Sequence, residues 1–229
     1  MRRKKTVFAE LLLEWWSKNK RDYPWRRTRN PYSILIAEIF LRKTTAKQVE
    51  KIYNLFLKQY PEAESLIEAD KSQLEKLLKP LGMEHKRAEV LKKFAVTVKE
   101  AYNGKIPSEL QKLLKLPGVG MYSANAVLSF VHSKDAPLLD TNFIRVIRRV
   151  FAVVPKKLRA RDDKKLWEFA QSLIPAGKSR EFNLAVLDFA ALVCTARSPK
   201  CSLCPIISIC SDYKHSSSQS ADYPTLNVV

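Results

Sequence analysis

Glycine is scarce in this chain, with 5 residues among 229, against 41 Lys+Arg. So little glycine, combined with long apolar periodicities, points to an all-α fold. No apolar stretch reaches the length of a membrane-spanning helix. The basic opening Met1 to Lys5 resembles the start of a signal peptide, but Glu10 and Glu14 interrupt the apolar run that should follow, so no signal is assigned. Acidic residues are few, 23 Asp+Glu, and the net charge is +18. That excess exceeds what solubility requires and implies a polyanionic partner, nucleic acid first and an anionic membrane surface second. Cysteine is absent outside one short segment, which argues for a metal site in a reducing compartment rather than a secreted disulfide framework. Hydrophobic residues make up 46%, enough for one large or two small folded domains.

The stretch from Leu116 to Asp140 is the organising one. Leu116-Pro117-Gly118-Val119-Gly120 opens an apolar run beginning at Met121 and Tyr122. Gly118 and Gly120 permit backbone angles closed to other residues and leave room for a ligand. The first amides of the following helix lack internal partners and sit at its positive end, where a phosphate binds well. An ordinary helix–helix turn uses glycine equally readily. Beyond it, Asp140-Thr141-Asn142 suits a helix N-cap, which alone accounts for Asp140.

Apolar spacing predicts a helix over 6–18, then an extended basic linker, 21–29, in which Tyr23 and Trp25 interleave with arginines. Residues 1–30 hold ten Lys/Arg and three Asp/Glu, a net +7. The linker is either a solvated arm or a contact to a nucleic-acid backbone. Asn30-Pro31 starts a helix carrying Glu38 among isoleucines and leucines. The plainer reading turns Glu38 outward or pairs it in a salt bridge, since an isolated buried carboxylate is costly. Arg42-Lys43-Thr44-Thr45 leads into a helix ending near Tyr60. Further helices are expected near 62–69, 71–79, 84–102, 161–173 and 180–193, with a short one starting at Pro107-Ser108 and leading into the glycine turn, and the serine-rich tail from Lys214 is expected to be mobile. Residues 145–165, with nine Lys/Arg and two Asp, form a second basic surface.

Cys194, Cys201, Cys204 and Cys210 leave gaps of six, two and five residues. No histidine lies within this loop, so the donor set is all thiolate, and spacing leaves zinc and an iron–sulfur cluster both open.

Taken together, these motifs resemble the helix-hairpin-helix DNA glycosylases that carry a four-iron, four-sulfur cluster. The resemblance spans nearly all of residues 20–211. It rests on Tyr23-Pro24-Trp25-Arg26, Asn30-Pro31-Tyr32, Glu38, Leu116–Gly120, Leu139-Asp140, Phe182-Asn183, Asp188 and the cysteine spacing. It implies a 4Fe-4S cluster on the four cysteines and two helical lobes with an active-site cleft between them. One lobe would be a six-helix barrel over 28–134, with the helix-hairpin-helix at 108–131. The other would join residues 1–27 to 135–211 and hold the cluster, leaving 212–229 as a flexible tail. It further implies a monomer acting on duplex DNA in the cytoplasm, at the nucleoid.

Two branches of the family are nearest. The adenine branch has glutamines where this chain has Arg42-Lys43, and it carries a further C-terminal domain, whereas only residues 211–229 follow the last cysteine here. Arg42-Lys43-Thr44-Thr45-Ala46 resembles the thymine/uracil mismatch branch better. The resemblance therefore implies removal of thymine or uracil from T:G and U:G pairs, with an adenine glycosylase or a non-catalytic cluster protein as alternatives. By the same analogy Asp140 supports the sugar cation, Asn142 and Tyr122 orient it, and Glu38 organises water or protons. Leu116, Gly118, Val119, Gly120 and Met121 would meet a phosphate, while Arg42 or Lys43 would border the gap left by the flipped base and meet the widowed guanine, with Thr44 a further DNA contact. Bifunctional relatives have a lysine where this chain has Tyr122, so no Schiff base is expected.

Overall fold

The computed structural model describes residues 1–213. The serine-rich tail from Lys214 lies outside them. Among the described residues there are eleven α-helices and no strand. The chain folds as two units, one comprising residues 1–20 and 137 onward, the other residues 21–136.

The first unit contains α1 (Arg2–Asn19), α9 (Thr141–Phe151), α10 (Lys164–Gln171) and α11 (Ser179–Leu192), followed by the cysteine loop. α1 begins four residues earlier than the apolar spacing suggests, because its basic start is used. Lys4 Nζ donates to Val150 O at 2.5 Å and to Ser211 Oγ at 2.9 Å, placing a cation at the negative end of α9. Phe8, Leu12, Phe143, Val146, Phe182, Val186 and Phe189 form the core. Phe8 meets Phe151 and Phe182 edge-on at 5.1 and 6.0 Å. Fully buried Asp188 accepts from Trp16 Nε1 at 2.9 Å, fixing α1 against α11.

The second unit runs from a short 3-10 turn at Pro24–Arg26 through seven helical segments. They are α2 (Pro31–Phe40), α3 (Ala46–Gln59), α4 (Ala63–Glu68), α5 (Lys71–Leu78), α6 (Glu84–Tyr102), α7 (Leu110–Leu113) and α8 (Met121–Phe130). The short helix expected from Pro107-Ser108 into the glycine turn is α7, a single turn that begins at Leu110. Asn30 caps α2 by accepting from Ser33 N, and Thr45 with Gln48 forms a capping box on α3. α2 is buried on every face from Tyr32 to Phe40, as an all-round apolar helix must be.

Three expectations change here. Residues 21–27 belong to the second unit rather than travelling with α1. The cause is Trp25, which is buried, packs edge-on against Tyr53 at 5.5 Å and stacks on Tyr23 at 4.8 Å. It is a core anchor, so this part of the linker is not a solvated arm. Residues 211–213 are helical, and Asp212 reaches Arg149 at 3.7 Å, so Asp212 and Tyr213 are not part of a free tail.

Candidate active site and cluster loop

In the first unit the carboxylate of Asp140 is held before any ligand arrives. Buried Asn183 accepts the Leu138 amide through Oδ1 at 2.9 Å and fixes the segment entering α9. Asp140 then caps that helix, Oδ1 accepting from Phe143 N at 2.7 Å. Its second oxygen accepts from Asn142 Nδ2 at 2.6 Å. Asn142 is in turn oriented by Arg145, whose Nη1 donates to Asn142 Oδ1 at 3.0 Å. Burial raises the Asp140 pKa above the ordinary carboxylate value, while the Phe143 amide, Asn142 and the Arg145 charge oppose the rise. The cap reading is therefore observed, and one carboxylate oxygen has a further donor that capping does not need. Arg145 was not singled out from the sequence; its signal is the spacing of three from Asn142, which puts both on one helical face.

The same arginine reaches the cysteine loop. Arg145 Nε donates to Cys194 O at 3.0 Å and Nη2 to Ala190 O at 2.8 Å. One turn on, Arg149 Nη1 lies 3.4 Å from Cys194 Sγ and donates to Thr195 O at 2.7 Å, and Nη2 donates to Ala196 O at 3.0 Å. Cys210 Sγ approaches Arg149 O at 3.4 Å. The four cysteines are unpaired thiols. Burial, with the neighbouring Cys194, Cys210 and Cys201 adding to it, pushes the Cys204 thiol up to about 11. Burial and the adjacent thiols disfavour the Cys204 thiolate, a cost that a cationic centre would offset. Among the described residues no three His, Cys, Asp or Glu side chains close on a single metal ion. A cluster interposes several irons and sulfides, so its four ligands need not meet at one point.

The second unit carries the remaining candidates. Glu38 is 8% exposed on all-buried α2, so the outward-facing reading does not hold. Its neighbours Ile34, Leu35, Ile36 and Ile39 already wrap that helix in apolar residues, and a carboxylate spaced among them has no open face. Gly118 has φ +80° in the hairpin turn, and a Cβ there would lie 2.5 Å from Val90 Cγ1. Leu116 and Val119 are buried, with their amides donating to Leu113 O and Leu116 O. The turn therefore presents the amides of Gly118, Gly120 and Met121, which take no hydrogen bond among the described residues, rather than those two side chains. Arg42 Nη2 donates to Gly118 O, tying the 42–44 loop to the hairpin. Lys43 is exposed and left-handed at φ 54°. Thr44 Oγ1 donates to Leu81 O at 3.0 Å. That last bond leads to Met83, which the sequence reading passed over: it is exposed, left-handed at φ 55°, and follows Gly82. Glu38 and Tyr122 thus belong to one unit, Asp140 and Asn142 to the other.

Residues 36–172 match the model of the HhH-GPD superfamily of base excision DNA repair proteins, and residues 194–210 match the iron–sulfur binding domain of endonuclease III. The chain belongs to this superfamily. It is 47% identical over 204 residues to the thymine/uracil-DNA glycosylase of Pyrobaculum aerophilum, covering 88% of this chain and 89% of the relative. It is 32% identical to the adenine DNA glycosylase of Buchnera aphidicola subsp. Schizaphis graminum, covering 91% of this chain but 60% of the relative. Among solved structures it is similar to a thermostable thymine-DNA glycosylase, with TM-score 0.89 and 43% identity over 93% of this chain and 98% of that one. The superfamily's partner is DNA, which accounts for the +18 charge. The cofactor left open by spacing is the 4Fe-4S cluster, and the matched segment 194–210 contains Cys194, Cys201, Cys204 and Cys210. No helix among the described residues is long and apolar enough to cross a membrane.

Proposed function

We propose that this chain is a monofunctional glycosylase that removes thymine or uracil from T:G and U:G pairs, acting as a monomer on duplex DNA in the cytoplasm. The observation that carries this reading is the Asp140 carboxylate, held in place by the Phe143 amide and by Asn142. Similarity to thymine/uracil glycosylases along most of the chain supports the choice of base.

The target base leaves the stack, which a mispair makes cheaper. Cleavage of the glycosidic bond builds positive charge on the sugar. Asp140, already fixed, stabilises that charge without reorganising and favours attack by water. Asn142 keeps one carboxylate oxygen aimed, and buried Glu38 organises water or protons near the departing base. The amides of Gly118, Gly120 and Met121 take a backbone phosphate, and Tyr122 helps orient the nucleotide. Arg42, Lys43 and Thr44 border the vacated position, with Met83 as an apolar wedge of the type that unstacks base steps. The cluster ties down the 194–210 loop when bound.

Tyr122 bears a phenol, so no Schiff base forms and the product is an intact strand with an abasic site. Incubating a T:G duplex with and without hot alkali tests this: breaks should appear only after alkali, and equal cleavage without it contradicts the assignment. The same assay with A:G and A:8-oxoguanine duplexes tests the adenine reading, which buried Glu38 and the similarity to adenine glycosylases support as the second reading.

A further inference from the structure

Arg87 is 4% exposed, and its guanidinium is spent on backbone and hydroxyl oxygens. Nε donates to Gly82 O at 2.9 Å, Nη1 to Ile39 O, and Nη2 to both Arg42 O and Thr44 Oγ1 at 2.7 Å. A buried cation is costly to leave without partners, so this placement answers a specific need. Part of the need is ordinary. Ile39 O lies in the last turn of α2, where a carbonyl has no partner within the helix and a cation suits the negative end.

The other bonds go beyond capping. Arg42 O and Gly82 O belong to the residues immediately before Lys43 and Met83, the two left-handed non-glycine residues of this region, at φ 54° and 55°. Such conformations are strained and persist only where the surroundings over-determine them. One side chain grips the peptide leading into each, and Thr44, which it also holds, bonds across to Leu81 O. The backbone amide of Arg87 itself closes on Met83 O at 2.9 Å. The exposed cation at Lys43 and the exposed thioether at Met83 therefore stand on two segments far apart in sequence that one fork fastens together.

We propose that Arg87 is the positioning residue for opposite-base discrimination: it locks the 42–44 loop and the 81–83 turn into one rigid reading element. The proposal rests on the thymine/uracil reading above. Lysine at this position keeps the charge but cannot bond in four directions from one plane.

The test compares wild type with Arg87→Lys and Arg87→Met. Each is checked for iron–sulfur absorbance and thermal unfolding. Single-turnover excision of uracil is then measured opposite guanine, opposite adenine and opposite an abasic analogue, which offers no base to read. Both variants should lose about tenfold in the guanine-to-adenine rate ratio, the scale set by one good base contact. The rate opposite the abasic analogue should stay near wild type. Brief trypsin treatment of Arg87→Lys should also cut faster after Arg42 and Lys43, a readout that remains if Arg87→Met does not fold. An unchanged ratio with unchanged trypsin sensitivity overturns the proposal and leaves the functional reading intact. Equal losses on all three duplexes assign Arg87 to structure alone and overturn it as well. A wild type that excises no base overturns the functional reading, and the proposal with it.

Discussion

Asp140 has two jobs that substitutions can separate. Asparagine caps helices as well as aspartate does, so Asp140→Asn retains the bond to Phe143 N, whereas Asp140→Ala loses it at about 1 kcal/mol. The sign of the linkage points the same way. The folded-state pKa is raised, so the carboxyl's contribution to stability is present in acid and is lost as pH rises through that raised value. At neutral pH, Asp140→Asn should therefore unfold no earlier than wild type, as differential scanning calorimetry can show. Asn142→Ala makes a different prediction. Removing a donor to the ionised carboxylate lifts the Asp140 pKa further, so the acid limb of the kcat/KM profile should move to higher pH. An unmoved limb would leave Asn142 without a role in tuning that group.

At the scale of elements, the hairpin offers a contrast between its two glycines. Gly118→Ala forces a side chain into a left-handed position and against Val90, and should destabilise by about 1–2 kcal/mol or more while weakening duplex binding. Gly120 has φ −104° and open space around it, so Gly120→Ala should be nearly neutral in a chemical-denaturation curve. Most helices were legible because their apolar periodicity and caps agree: Asn30-Pro31, Thr45 and Asp140 each mark a start within a residue of where it falls. The misreadings arose where a neighbour's chemistry overrode composition. Arginines around Trp25 made it look exposed, yet its ring fills a gap beside Tyr53. Energetic cost favours an outward or salt-bridged Glu38, although the apolar sequence around it already marks α2 as a buried helix. Arg87 gives no periodic signal, because most of its partners, Ile39, Arg42 and Thr44, are distant along the chain.

At the scale of the whole molecule, charge and cofactor make separable predictions. With a net charge of +18, duplex affinity should fall steeply as salt rises, linearly in log–log form; a flat response would remove phosphate contacts from the account. Loss of the cluster should release the loop that Arg145 and Arg149 hold through Cys194, Thr195 and Ala196. Proteolysis confined to 194–210 after cluster removal would report it. The account stands most directly on the chemistry of one carboxylate. Single-turnover excision of thymine from a T:G duplex, measured alongside duplex affinity for wild type and Asp140→Asn, tests it. The account predicts a rate lower by about a hundredfold or more with affinity within a few-fold, as expected when a preorganised charge is removed. Excision by the asparagine variant at near the wild-type rate would contradict it.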